Sequence, residues 1–302
     1  MGVREGMRMS SPTNTRAEEL RQAGLDEVRR ERYDSAIALY DEALSICTDD
    51  EHVELLTINK ADAMIALGLN GPEVQKLPSI LMRRQNLHHT FLAAYALMYK
   101  FRMQGDVKRT IFYGQIALGA AVEAKAPFWK ISAFNDLGIA SEMDSQFEKA
   151  IEYFESALGL LGFIADEAER EMSEAAIVPN LAYNKMLAGQ TAEGLRLMHE
   201  VMDRIQSPSG LADSYIALCY GYLDLEKYDE AIFYGEVGLE LAKNEREIRN
   251  AHYLIGEAAY KSGDIAGAER HFEELARFYP EFRNLKSLLF AIDLRSMVNF
   301  RL

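Results

Sequence analysis

The sequence predicts an all-α protein: a superhelical solenoid of about seven helix pairs plus a C-terminal capping helix. Three observations carry this. A motif Ala-x-x-x-aromatic-x-x-Ala recurs along the chain, small residues recur in the helices before it, and no sustained stretch alternates apolar with polar residues as a half-buried strand would. The clearest copies of the motif are RERYDSAIALYDEAL, DSQFEKAIEYFESAL, LEKYDEAIFYGEVGL and SGDIAGAERHFEEL. In them Ala36, Ala150, Ala231 and Ala268 are followed four positions on by Tyr40, Phe154, Gly235 and Phe272, and three further on by Ala43, Ala157, Gly238 and Leu275. Steps of four and three keep all of these on one helical face, where small residues allow close approach and aromatics fill the space.

The first helix of each pair carries its own marker: Gly24, Ala61, Met98, Gly138, Ala182, Cys219 and Gly256, at gaps of 37, 37, 40, 44, 37 and 37. Gly138 and Gly256 are expected to pack against Ala150 and Ala268. Pair two is irregular, with Glu73 where Ala is expected and Pro78 interrupting its second helix; in pair three Thr110 replaces the Ala. The domain reading is a disordered polar leader over 1–15, the repeat array over 16–281, and a capping or dimerisation helix over 282–302. In that last segment Phe290, Leu294, Met297 and Phe300 form a surplus apolar face suited to a homodimer.

These motifs resemble the tetratricopeptide repeat (TPR) family, with Ile255, Gly256, Tyr260, Ala268, Phe272 and Pro280 the fullest match, and Phe134, Leu137, Gly138, Ala150, Phe154 and Ala157 the next. The resemblance implies a right-handed superhelix whose inner wall is lined by the first helices. Its inward register implies a peptide-binding set of Asn59, Tyr95, Tyr99, Arg102, Asn135, Asn180, Tyr183, Tyr220, Tyr253 and Glu257, with Asp62 among its neighbours. Tyrosine offers apolar area with a polar tip, and Asn can both donate to and accept from a peptide backbone. The alternative for several of these tyrosines is packing between neighbouring first helices. The chaperone-binding carboxylate clamp of the family does not carry over: Asn59 and Arg21 suit it, but Leu25, Leu92 and Ala96 do not. Repeat length and groove composition are more loosely similar to the peptide-pheromone receptors of the Rap and PlcR group, whose N-terminal effector domains the short leader here would not accommodate.

Composition narrows the function. The 302 residues carry 33 Lys+Arg against 47 Asp+Glu, a formal charge of −14, which argues against nucleic-acid and anionic-membrane partners. The charge is unevenly spread: residues 71–130 hold nine basic and three acidic residues, and residues 141–174 ten acidic and two basic. Two distant cysteines, Cys47 and Cys219, fit a reducing compartment, and the absence of a signal peptide or membrane span fits the cytoplasm. No nucleotide-loop, nucleophile-elbow or zinc-protease motif appears, His88 and His89 point about 100° apart on a helix, and His271 with Glu274 makes a weak metal pair. The expectation is therefore a non-enzymatic, regulatory scaffold with no catalytic residues, metal or cofactor, binding a peptide or protein segment. The alternative is a structural subunit of a homo-oligomer or larger assembly.

Overall fold

The computed structural model describes residues 12–205, 207–281 and 284–291, and the chain divides into two compact units, 1–133 and 134–302. Among the described residues the fold is all-α, with fifteen α-helices and no strand. Seven antiparallel-type pairs follow one another: α1 (Pro12–Arg29) with α2 (Tyr33–Ile46), α3 (Asp50–Ala66) with α4 (Pro72–Arg83), α5 (Leu87–Met103) with α6 (Val107–Glu123), and α7 (Pro127–Met143) with α8 (Phe147–Leu158). Then come α9 (Glu167–Leu187) with α10 (Thr191–Val201), α11 (Pro208–Asp224) with α12 (Tyr228–Leu241), and α13 (Glu245–Ser262) with α14 (Ile265–Arg277), before α15 (Leu285–Ala291).

The turns inside the pairs share one backbone solution. Each of the seven has a residue with positive φ: Glu31, Gly68, Gly105, Ser145, Gly189, Glu226 and Gly263. In six of them the amide following this residue reaches back five positions to the preceding helix, as from Asp106 N to Phe101 O at 2.9 Å and from Gln190 N to Lys185 O at 2.8 Å. That bond pattern satisfies the last helical carbonyls and reverses the chain in three residues in five of these pairs and in five residues in pair two. Side-chain caps start several helices: Asp49 accepts from His52 N, Asn86 from His88 N and His89 N, Asp106 from Arg109 N, and Asp166 from Glu169 N.

In three pairs the atoms nearest the small first-helix residue belong to the aromatic of the second helix, one turn beyond the alanine expected to face it. A Cβ built on Gly24 would lie 2.4 Å from the Tyr40 ring, one on Gly138 2.6 Å from Phe154, and one on Gly256 2.5 Å from Phe272. Tyr40, Phe154 and Phe272 are fully buried. The ring needs the volume that the missing side chain leaves, whereas Ala36, Ala150 and Ala268 sit one turn earlier. Pair six differs, with Gly235 at the aromatic position and the space filled by Ile255 and Cys219: a Cβ on Gly235 would be 2.5 Å from Ile255 Cγ1 and 2.9 Å from Cys219 Sγ.

Pair two departs from expectation in an instructive way. Pro78 lies inside α4 without ending it, because Val74, Leu77 and Ile80 bury the helix's apolar face and outweigh one lost backbone hydrogen bond. Glu73, aligned with an alanine, instead accepts from Lys60 Nζ at 3.0 Å, and Lys60 also pairs with Asp41 at 2.7 Å. Thr110 fits the small position fully buried, its hydroxyl donating to the Asp106 carbonyl at 2.8 Å.

The termini also differ from expectation. Pro12 to Thr15, assigned to the leader, form the first turn of α1, where Asn14 Oδ1 accepts from Thr48 N at 3.1 Å; residues 1–11 lie outside the described residues. Phe290, assigned to a dimer face, packs edge-on to Tyr260 and Phe272 with ring centroids 5.2 and 5.1 Å away, and Leu289 is buried in the core of the last pairs. Leu294, Met297 and Phe300 lie outside the described residues.

Candidate functional site

In the N-terminal unit the predicted groove residues engage their own neighbours. Asn59 accepts from Arg21 at 3.3 Å, while Arg21 also donates twice to Glu18 at 2.8 Å. The Arg21 hydrogen bond holds the Glu18 carboxyl well down, at about 2, against the opposing effect of burial. Tyr95 stacks on Phe91, which stacks on Trp129, which stacks in turn on His88. Tyr99 packs against the core of α3 to α6, and the Arg102 guanidinium lies 5.2 Å from its ring centroid. Asp62 has no cationic partner among the described residues, and burial pushes its carboxyl up to about 6. Hollows beside α1 and at the α3–α4–α5 ends touch none of Asn59, Tyr95, Tyr99 or Arg102.

The C-terminal unit is different. A cavity of about 450 Å³ opens between α9, α11 and α13, the first helices of three successive pairs. From α9 come Met172, Ala175, Ala176, Pro179, Asn180 and Tyr183; from α11, Asp213, Ile216, Ala217 and Tyr220; from α13, Arg246, Asn250 and Leu254. The walls are mostly apolar, and the volume falls in the range of about 300–1,000 Å³ in which proteins hold small ligands. Met172, at the edge, is 63% exposed although apolar. Tyr183 and Tyr220 meet edge to face, centroids 5.9 Å apart, so each ring fixes the other.

Local chemistry sets the rim. Pro179 lies inside α9 beside the cavity and has no N–H, so the Ala175 carbonyl lacks its usual i+4 donor. One residue on, Asn180 Nδ2 donates to the Ala176 carbonyl at 3.2 Å and to Asn135 Oδ1 at 3.4 Å. Those bonds turn the carboxamide so that its oxygen remains an acceptor.

At the other end Asn244 caps α13 by accepting from Glu247 N at 3.0 Å, and the Glu247 carboxylate accepts from Lys243 N at 2.8 Å, Asn244 Nδ2 at 2.6 Å and Ser209 Oγ. Burial would raise the Glu247 carboxyl, but these bonds prevail and lower it. The reciprocal cap fixes the first turn of α13. From that turn Arg246 Nη2 reaches both carboxylate oxygens of Asp213 at 2.8 Å; burial opposes the Arg246 charge, and Asp213 outweighs it. Arg204, also lining the cavity, pairs with Glu174.

Of the ten predicted residues, Asn180, Tyr183 and Tyr220 line this cavity, and Asn135 supports it through Asn180. Tyr253, 5% exposed, belongs to the core of α11 to α14, and Glu257 is buried and ion-paired with Lys261 at 3.4 Å. Both sit on a buried face of α13. Sequence reasoning missed Arg204, Asp213, Arg246 and Asn250. The Asn-x-x-Glu cap at 244–247 and the proline within α9 were the available signals. His271 Nδ1 lies 3.0 Å from His252 Nδ1, and no group of three His, Cys, Asp or Glu side chains among the described residues is arranged to hold a metal ion. No helix among them is long and apolar enough to cross a membrane.

Comparison with solved structures shows the class of fold. RapI in its apo form aligns with a TM-score of 0.65 and 13% identity over 91% of this chain and 79% of its own. NprR in complex with its cognate peptide NprX aligns at 0.67 and 15% over 96% and 83%, and a tetratricopeptide repeat protein from Parabacteroides merdae at 0.55 and 14% over 92% and 98%. The chain has a TPR-type repeat fold of the kind found in Rap and NprR proteins. No protein-family model and no curated protein matches the sequence.

Proposed function

We propose that the chain is a non-enzymatic peptide-binding TPR scaffold with a regulatory role, capturing an extended segment on the first helices of its C-terminal unit. The observation that carries this reading is the cavity between α9, α11 and α13, which joins apolar walls to Asn180, Tyr183 and Tyr220. A peptide leaves side chains to bury and backbone groups to satisfy, and this site offers both. NprR, similar in fold, is a protein solved with a cognate peptide bound. Arg102 and the other N-terminal candidates fall outside the proposal, since Asn59 is bonded to Arg21, Tyr95 stacks on Phe91, Tyr99 packs against the core and Arg102 lies on the Tyr99 ring. The free thiols Cys47 and Cys219 agree with a cytoplasmic setting.

The test is selection from a random peptide library on the full chain, followed by affinity measurement. Enriched peptides should bind the wild type and lose affinity on Tyr183→Ala with the fold intact by circular dichroism. Failure of any sequence to enrich would overturn the reading. The assembly-subunit reading receives less support, because Phe290 is used within the protein to cover the last helix pair.

A further inference from the structure

Resting on the peptide-binding reading, we infer that the cavity between α9, α11 and α13 selects an extended segment with two bulky, uncharged apolar side chains at alternate positions, and rejects charged residues there. Charge at the rim sets the first constraint. Arg246 is held by Asp213 through two 2.8 Å contacts, and Arg204 is held by Glu174. The rim therefore presents internally paired charges, and neither pair leaves an unbalanced ion for a charged ligand side chain to meet. Bringing such a side chain into apolar walls would strip its water without a partner in exchange.

Volume and shape come next. Ala175, Ala176, Ile216, Ala217 and Leu254 make walls of small and branched side chains around about 450 Å³, more than one leucine or phenylalanine side chain fills. Residues i and i+2 of an extended chain project to the same side, so two side chains can enter together while the residue between them faces outward. Between those entries the peptide backbone must find partners. The Asn180 carboxamide, whose nitrogen is engaged by Ala176 and Asn135, keeps its oxygen as an acceptor on the wall, suited to a backbone N–H group. An acceptor at the wall and apolar volume beyond it match a peptide with an apolar–x–apolar core.

The experiment is an octapeptide display selection run in parallel on the full wild-type chain and on Ala176→Trp. Ala176 is exposed and borders the cavity, so the indole should occupy the space without entering the core. On wild type, enriched sequences should carry Leu, Ile, Met or Phe at two positions separated by one, at least threefold above library frequency. On Ala176→Trp that enrichment should vanish. A synthetic winner with either apolar residue replaced by Lys or Glu should bind at least tenfold more weakly. Enrichment of charged residues at those positions, or equal enrichment on Ala176→Trp, would overturn this inference and leave peptide binding standing. Enrichment on neither protein would overturn both.

Discussion

In the N-terminal unit Tyr95 lies in a run of stacked rings with Phe91, Trp129 and His88, and Tyr99 lies between the core and Arg102. In the C-terminal unit Tyr183 and Tyr220 come from equivalent first helices, yet they meet beside an open cavity. The difference lies in what surrounds them. Phe91 and Trp129 supply bulk in the first unit, whereas Ala175, Ala176 and Ala217 leave room in the second. Tyrosines of the predicted inward faces thus pack or line a cavity according to the volume of residues contributed by other helices.

The largest test of this comparison strikes what both units share. Gly24→Leu and Gly138→Leu should each overpack an aromatic ring, Tyr40 or Phe154, and cost roughly 3 kcal/mol. Thermal unfolding followed by hydrogen exchange should show the loss centred on the unit that carries the substitution. Unchanged melting for both would refute the glycine–aromatic contact.

The tyrosines should then separate the units. Tyr220→Ala should weaken a selected peptide by about 2 kcal/mol, as expected for a buried aromatic anchor. Tyr99→Ala should lower the melting temperature and leave affinity unchanged. Calorimetric titration checks both, and the opposite pattern would move the binding site to the N-terminal unit.

A pH-dependent difference follows from Asp62. Its carboxyl, raised by burial to about 6, favours the protonated form in the folded state, so the stability it contributes is lost as pH rises through 6. Asp62→Asn should therefore stabilise the protein by up to about 2 kcal/mol at pH 8 and by little at pH 4. Denaturant melts at the two pH values measure it; equal effects at both would rule out the charge as the cause.

The smallest effect belongs to the turns. Four of the seven left-handed turn positions are glycine, and Glu31, Ser145 and Glu226 are not. Ser145→Gly should raise stability by about 1 kcal/mol, the order of the side-chain penalty for that backbone conformation. A fall in melting temperature would mean that the Ser145 side chain contributes more than the strain costs.

The local repeat determined the helix pairs. Ala36, Ala150, Ala231 and Ala268 with their partners at i+4 and i+7 mark second helices, and Gly24 through Gly256 mark first helices, because a helical face shows in the spacing of its own residues. Spacing alone does not give the identity of the facing partner: it sets Gly138 against Ala150, and the Phe154 ring is what lies nearest. It also misjudged Pro78, since burial of Val74, Leu77 and Ile80 decides whether the helix survives the proline.

The inward register names Asn180, Tyr183 and Tyr220, which line the cavity, and equally Tyr253, Glu257, Tyr95 and Tyr99, which do not. Register fixes the direction of a side chain from its own helix, and that much the sequence determined by itself. Whether that direction leads to a cavity or to a neighbour's side chain was decided by the tertiary structure. The volume there is the sum of residues on three helices, and charges such as Arg246 and Asp213, 33 positions apart, neutralise each other only once those helices pack.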